Sequence, residues 1–449
     1  MPQDWREADV VPLFKKGSKK KSENYRPVSL TCIVGKILES ILKDVIFIHL
    51  NKHGLIKDSQ HGFTSGRSCL TNLLDFFEAV TKYLDEGSDV DLIYLDFCKA
   101  FDKVPHKRLL IKLEALGIDN KISGWIASWL ANRRQRVVVE GEYSGWDRVI
   151  SGVPQGSVLG PVLFIIYIND IDDGILSKIN KFADDCKLGR KVTNQEDIEI
   201  LRQDLEKLSE WADRWQMKFN VEKCAVLHMG KSEINRNYEI NHTQLKTHKV
   251  EKDLGILVDG NMKFSEHCNS VVNSANATLG MIKRSISCKS NNMIVRLYKA
   301  LVRPKLEYCV QAWRPFLKKD IEKLETVQRR ATRMIDGLGT LSYSERLKRT
   351  GLTTLEERRD RGDLIEVFKI VRGFSRVDSK YFFNFCNIRR TRGHSYKMNK
   401  DRSRLDIRKF FFSQRVVNKW NSLPVDVVEA LSVNSFKNRY DKFLLQMYR

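Results

Sequence analysis

The residues of this 449-residue chain best suited to do chemistry are three aspartates. Asp96 sits in Tyr94-Leu95-Asp96-Phe97, and Asp184 and Asp185 close Phe182-Ala183-Asp184-Asp185. Ser151-Gly152-Val153-Pro154-Gln155-Gly156-Ser157 lies between them. Carboxylates delivered by separate strands suit a phosphoryl transfer run by two divalent cations about 3.5–4 Å apart, one activating an attacking hydroxyl and one steadying a triphosphate. A single Asp-Asp pair is usually a solvated turn. The ordered set favours metal binding, with Asp96 and Asp184 as the first ligands and Asp185 beside them.

Such acids need strand ends to hold them. Val90-Asp91-Leu92-Ile93-Tyr94-Leu95 is a β-rich apolar run that ends at Asp96, and residues 181–188 read as two short strands turning at the paired aspartates. Gly152 and Gly156 bracket a turn before the apolar stretch Val158 to Ile168, which reads as a helix. Bare glycines there would let the backbone approach a base pair, with Gln155 reaching an incoming nucleotide. Taken alone, the same segment is an ordinary turn opening a core helix. Leu201, Leu205, Leu208, Ala212 and Trp215 recur at helical spacing and predict an amphipathic helix packed on the sheet.

Further blocks complete a pattern. Pro12-Leu13-Phe14-Lys15-Lys16-Gly17, Asn24-Tyr25-Arg26-Pro27-Val28-Ser29-Leu30 and Gln60-His61-Gly62-Phe63 with Gly66-Arg67-Ser68 precede Asp96-Phe97-Cys98-Lys99-Ala100-Phe101-Asp102. Trp211 to Lys223 and Leu254-Gly255-Ile256-Leu257-Val258-Asp259 follow the paired aspartates. In this order the blocks resemble the reverse transcriptase of non-LTR retrotransposons, of the jockey-like branch. The resemblance implies an α/β right-hand polymerase with an α+β palm: fingers and palm over residues 1–259, a helical thumb over 260–340 and a basic carboxyl-terminal region over 341–449.

The implied activity is RNA-directed DNA polymerisation: a DNA 3′ end is extended on an RNA template, in retrotransposition, from deoxynucleoside triphosphates. The implied cofactor is a pair of magnesium ions, with manganese as a substitute. Lys15 and Arg26 would neutralise the triphosphate, whereas Lys16, Lys19, Lys20 and Lys21 read as a solvated run or one making diffuse backbone contacts. Phe101 falls where the family places a bulky residue under the sugar, excluding a ribose 2′-hydroxyl; a core aromatic is the other reading. Viral RNA polymerases tend to carry a second Asp near that place and a Gly-Asp-Asp turn, and this chain has Phe101 and Ala183 instead. The resemblance puts Lys223 where a general acid protonates the leaving pyrophosphate, although a strand-edge lysine is more often only solvated.

Composition agrees with a polyanion as partner: the formal charge is +22 and the pI about 9.5. No apolar run approaches the roughly 18 residues of a membrane span, and no signal-peptide pattern opens the chain. The nine cysteines form no C-x-x-C pair and read as reduced thiols, and His394 and the other histidines lack ligand spacing. Beyond Asp259-Gly260-Asn261, residues 293–334 are rich in helix formers. Arg329-Arg330, Arg333, Arg358-Arg359, Arg361, Arg389-Arg390 and Arg392 then alternate with apolar positions, and Arg415 to Pro424 is similar to the carboxyl ends of jockey-like elements. Family members carry an upstream endonuclease domain and an earlier fingers segment that this sequence lacks, as in a truncated genomic copy. Two alternatives follow: a catalytically inactive nucleic-acid-binding remnant, and an intron-encoded reverse transcriptase with maturase activity. The expected setting is the nucleus, with a cytoplasmic ribonucleoprotein stage; the oligomeric state stays open.

Overall fold

The computed structural model describes residues 1–230, 236–386 and 393–447. Arg389, Arg390 and Arg392 therefore lie outside the described residues. The architecture is mixed α/β, with two five-stranded sheets followed by a long helical region. Among the described residues, no helix is long and apolar enough to cross a membrane.

The first sheet begins with β1 (Glu7–Phe14) and β2 (Tyr25–Leu30), paired antiparallel so that Leu13 faces Arg26. Helices α1 (Ile33–Lys52) and α2 (Cys69–Asp85) lead to β3 (Asp89–Leu95), the central strand of the second sheet, and β4 (Arg134–Val139) joins the first sheet parallel to β1. On either side of β3 lie the antiparallel strands Asp185–Val192 and Ala225–Met229. Val90, Leu92 and Tyr94 pack into one hydrophobic core, and Ile93 and Leu95 into another. Period-2 alternation with both faces covered explains the nearly unbroken apolar run of β3. Asp91, within β3, is fully buried and accepts from His228 Nδ1 at 2.7 Å, Arg236 Nη1 at 3.0 Å and the Tyr238 hydroxyl at 2.5 Å.

The two strands expected around the paired aspartates are Lys178–Phe182 and Asp185–Val192, with Phe182 opposite Asp185. Ala183 takes φ 55° in the turn, the left-handed conformation that tight hairpins demand and that glycine adopts more cheaply. Three boundaries differ from the sequence expectation. The helix after the glycine turn runs Gly160–Tyr167 rather than from Val158, because Ser157 Oγ accepts from the Gly160 amide and sets a later start. The amphipathic helix is Gln195–Arg214, capped by the Asn194 side chain on the Asp197 amide, and Trp215 is its carboxyl cap. Lys223 is not at a strand edge: the Asn220 carbonyl accepts from the Lys223 and Cys224 amides and curls this stretch into a turn before Ala225.

Past the hairpin Val250–Asp253 and Ile256–Asp259, the helix Ser265–Ser285 opens the helical region. Secondary structure changes at residue 259, but the hydrophobic core does not stop there. One continuous core takes Leu73, Phe77, Val80 and Leu84 of α2 together with Phe264, Trp313, Phe368, Phe412, Trp420 and Tyr440. Polar contacts seal the same face: Arg408 Nη2 lies 2.6 Å from buried Glu78, Arg404 Nη2 donates to the Leu84 carbonyl at 3.0 Å, and the Tyr381 hydroxyl to the Asp75 carbonyl at 3.4 Å. Lys187 and Asp253, both 4% exposed, form an ion pair of 2.5 Å that ties the central sheet to the Val250–Asp259 hairpin.

Candidate active site

Asp96 follows the last residue of β3, and its backbone is held on both sides. Its carbonyl accepts from the Asn220 amide at 2.8 Å, and the next ring, Phe97, stacks on Phe219 at 4.4 Å. The register Leu95 opposite Cys186 brings Asp96 alongside the paired aspartates. Proximity shows in their acidity. Burial raises the Asp184 carboxyl above its usual range and Asp96 adds to that, while Lys15 and Arg26 oppose it. Asp185 keeps an exposed surface, yet desolvation on its inner side, then Asp184, Asp96 and Asp253, push it up to about 6. Asp96 Oδ2 itself is engaged by Lys223 Nζ at 2.7 Å.

One cleft of about 1160 Å³ is lined by Lys15, Arg26, Asp96, Phe101, Gln155, Gly156, Asp184 and Lys223. Asp185 faces an adjoining hollow of about 310 Å³ that Asp96 and Lys223 also line. Arg26 lies on β2 and Lys15 directly follows β1, so cations of the first sheet oppose carboxylates of the second. Burial lowers the Lys15 ammonium from its usual value, Arg26 and Lys223 repel it, and Asp96 partly restores it. Lys19 and Lys20 are exposed, as expected, and also border the cleft.

Among the described residues, no three His, Cys, Asp or Glu side chains already stand as a compact ligand set. The donors nevertheless fit a hard divalent cation: all are carboxylate oxygens, and the Asp184 and Asp185 carboxyls are raised first by burial and then by their negative neighbours, both of which such a cation offsets.

Phe101 stacks flat on Phe164, with centroids 4.4 Å apart at 15°, and meets Phe63 edge-on at 6.3 Å. The inner face of this ring packs against the core, and its remaining surface lines the cleft. Gln155 donates from Nε2 to Asp102 Oδ1 at 3.1 Å, and its carbonyl accepts from the Ser29 amide at 2.7 Å. The glycines on either side are also required within the protein itself. A Cβ on Gly156 would sit 2.5 Å from the Ser29 carbonyl oxygen, and one on Gly152 2.7 Å from Asp102 backbone atoms. Close approach within the protein, to β2 and to the Asp102 turn, already demands glycine at both places.

Two site residues went unread in the sequence. Asp102, buried enough to raise its carboxyl above the usual range against the Gln155 hydrogen bond, orients Gln155. Gln60 is fully buried, and its Oε1 accepts from the amides of Gly62 at 2.8 Å and Ala183 at 3.0 Å. It bolts the aspartate turn from behind. The His61 amide donates to the Lys181 carbonyl at 2.9 Å, and a Cβ on Gly62 would lie 2.3 Å from the Ala183 nitrogen, so the two segments are in backbone contact. The only signal in the sequence was the Gln60-His61-Gly62-Phe63 block, which carries no chemistry by itself.

Comparison with known proteins places the site in context. Residues 18–257 match the family model described as reverse transcriptase (RNA-dependent DNA polymerase). The chain is 27% identical over 352 residues to the probable RNA-directed DNA polymerase from transposon X-element of Drosophila melanogaster, covering 75% of this chain and 38% of the relative. It is 26% identical over 360 residues to the RNA-directed DNA polymerase from mobile element jockey of the same organism, again covering 75% and 38%. The chain thus spans well under half the length of these curated relatives. Among solved structures, apo telomerase from Candida tropicalis aligns at TM-score 0.45 and 11% identity, over 77% of this chain and 59% of that one.

Proposed function

Because this chain belongs to the reverse transcriptase family, whose model it matches over residues 18–257, we propose that it is an RNA-directed DNA polymerase that extends a DNA 3′ end along an RNA template. One observation carries the reading: Lys15 and Arg26 oppose Asp96 and Asp184 across a single cleft that Phe101, Gln155 and Lys223 also line. Asp96, Asp184 and Asp185 would hold magnesium, with manganese as a substitute. When bound, the ions supply activation of the primer hydroxyl and support for the triphosphate.

The side chains account for the rest. Lys15 and Arg26 neutralise a deoxynucleoside triphosphate, which carries most of the substrate's charge. Lys223 releases Asp96 as the carboxylates assemble and then keeps its Nζ proton within reach of the leaving pyrophosphate. Phe101, fixed by Phe164, gives the sugar subsite a rigid wall. Gln155, oriented by Asp102, borders the nucleotide.

Primer extension by purified protein on a primed RNA template tests this reading. Asp96→Asn and Asp184→Asn should abolish extension while leaving template binding nearly unchanged, and Asp185→Asn should be milder. Undiminished extension by either of the first two variants rejects the assignment. An unsubstituted chain that binds tightly but extends nothing is instead the inactive remnant.

A further inference from the structure

Helix α1 is apolar on two faces. Its inner face is anchored: Ile46 and Leu50 are buried in the core, and Glu39 Oε2 accepts from the Val158 amide at 2.7 Å and the Leu159 amide at 3.2 Å. Its outer face carries Ile33, Val34, Ile37, Ile41, Val45 and Ile48, each between 44 and 77% exposed. All six fall within one arc of about 120° around the helix. None of them lines the polymerase cleft or the hollow beside it.

Scattered apolar side chains on a surface need no partner. A continuous stripe does. Together the six expose roughly 600–700 Å², more than a monomer usually leaves in one patch and close to the about 800 Å² that each partner buries in a standard protein–protein interface. Every one is isoleucine or valine. β-Branched side chains are already stiff in a helix, so docking this face orders little that is not ordered beforehand.

The residue order identifies the cover. Ile33, Ile37, Ile41 and Val45 form one ridge at a spacing of four, continued by Ile48, and the ridge reads alike in both directions from Ile41. Charge on the flank is antisymmetric about the same level. Lys36, Ser40 and Asp44 run beside the ridge at the same spacing, a cation one turn before the centre and an anion one turn after it. Asp44, 3.2 Å from Lys43, keeps most of its side chain exposed. Turning a second copy by 180° about an axis through this level sets Ile41 on Ile41, Ile37 on Val45, Ile33 against Ile48, and Lys36 beside Asp44 twice over. A two-fold contact needs a surface complementary to itself, and this one is so in its ridge and in the sign of its charges.

We infer that α1 is a dimerisation helix, packing antiparallel on α1 of a second copy of this chain across a two-fold axis at Ile41. The contact goes beyond the polymerase reading and does not depend on it.

Sedimentation of the full chain tests it, in high salt after nuclease treatment so that bound nucleic acid cannot bridge copies. In the micromolar range the expected mass is twice 52.2 kDa. Ile41→Glu sets two carboxylates against each other at the axis and should raise the dissociation constant about a hundredfold or more. Its melting temperature should match that of the dissociated unsubstituted chain, because Ile41 is exposed. Asp44→Lys should weaken the dimer, and adding Lys36→Asp to it should restore the dimer, which a mere folding defect would not allow. Under diamide, Ile41→Cys should form a disulfide with its own copy and Ile33→Cys should not. Position 33 is eight residues from the axis, about 12 Å along the helix, so its two copies stand about 24 Å apart. Peptide mapping separates these links from any at the exposed native Cys288. A monomer throughout the micromolar range overturns the inference, as does a dimer indifferent to Ile41→Glu or one linked through Ile33→Cys; the stripe then belongs to a partner other than this chain.

Discussion

Gln60 never touches substrate in this arrangement, and its replacement tests how the aspartate turn is held. Gln60→Met keeps the length of the side chain and removes the acceptor for the Gly62 and Ala183 amides. Neither amide gains water in exchange, because Gln60 is fully buried and the Gly62 backbone lies against Ala183. Each orphaned donor costs roughly 1–3 kcal/mol, so the pair costs roughly 2–6 kcal/mol. Ala183 already holds a positive φ, and Asp184 is the next residue, so the turn should yield before the whole fold does. If about 2–4 kcal/mol of the loss reaches the transition state, extension slows roughly 30- to 1,000-fold. Single-nucleotide extension under saturating primer–template should show this in kcat, with the dissociation constant for nucleic acid unchanged. Gln60→Glu retains an acceptor and should melt closer to the unsubstituted protein. Its added negative charge behind Asp184 and Asp185 should move the acid limb of the rate profile to higher pH. Extension by Gln60→Met within threefold of the unsubstituted chain, at the same melting temperature, would refute the reasoning.

Other predictions rest on separate contacts. Burial holds His61 at a pKa of about 3, with Nδ1 on the Thr71 hydroxyl at 2.9 Å. A depressed histidine gives stability that is full above the unfolded pKa near 6.5 and lost as pH falls towards 3. His61 alone should therefore remove about 2 kcal/mol between pH 6.5 and 5; denaturant melts of His61→Gln should show a flatter pH dependence across that window, and an unchanged slope would count against it. Phe101→Ala, opening the sugar wall, should raise ribonucleotide relative to deoxynucleotide incorporation by up to roughly 1–3 kcal/mol of discrimination in competition assays, and unchanged discrimination would assign the ring to the core alone. A fragment ending at residue 259 strips cover from Leu73, Phe77, Val80 and Leu84, a loss of up to roughly 6–12 kcal/mol; it should aggregate or bind a hydrophobic dye, and a monomeric, cooperatively melting fragment would show that the two parts are independent.

What the sequence determined by itself was local. The run Val90–Leu95, the hairpin at Asp184-Asp185 and the helix ending at Arg214 could be read because β alternation, turn residues and helical spacing act over a few positions. The cations Lys15 and Arg26 and the three aspartates could be read because charge and ligand type are properties of single residues, and the family resemblance placed them in order. What the chain path brings together could not be read that way. Gln60 meets Ala183, Gly156 passes under the Ser29 carbonyl and Lys223 turns onto Asp96, each across many residues with no periodic trace. The helical region told the same story: its arginines looked like a basic tail, yet Arg408 is buried on Glu78 and Trp420 and Tyr440 share a core with α2. A charged residue carries the same letter whether it meets solvent or a buried partner, and only the tertiary structure decides which.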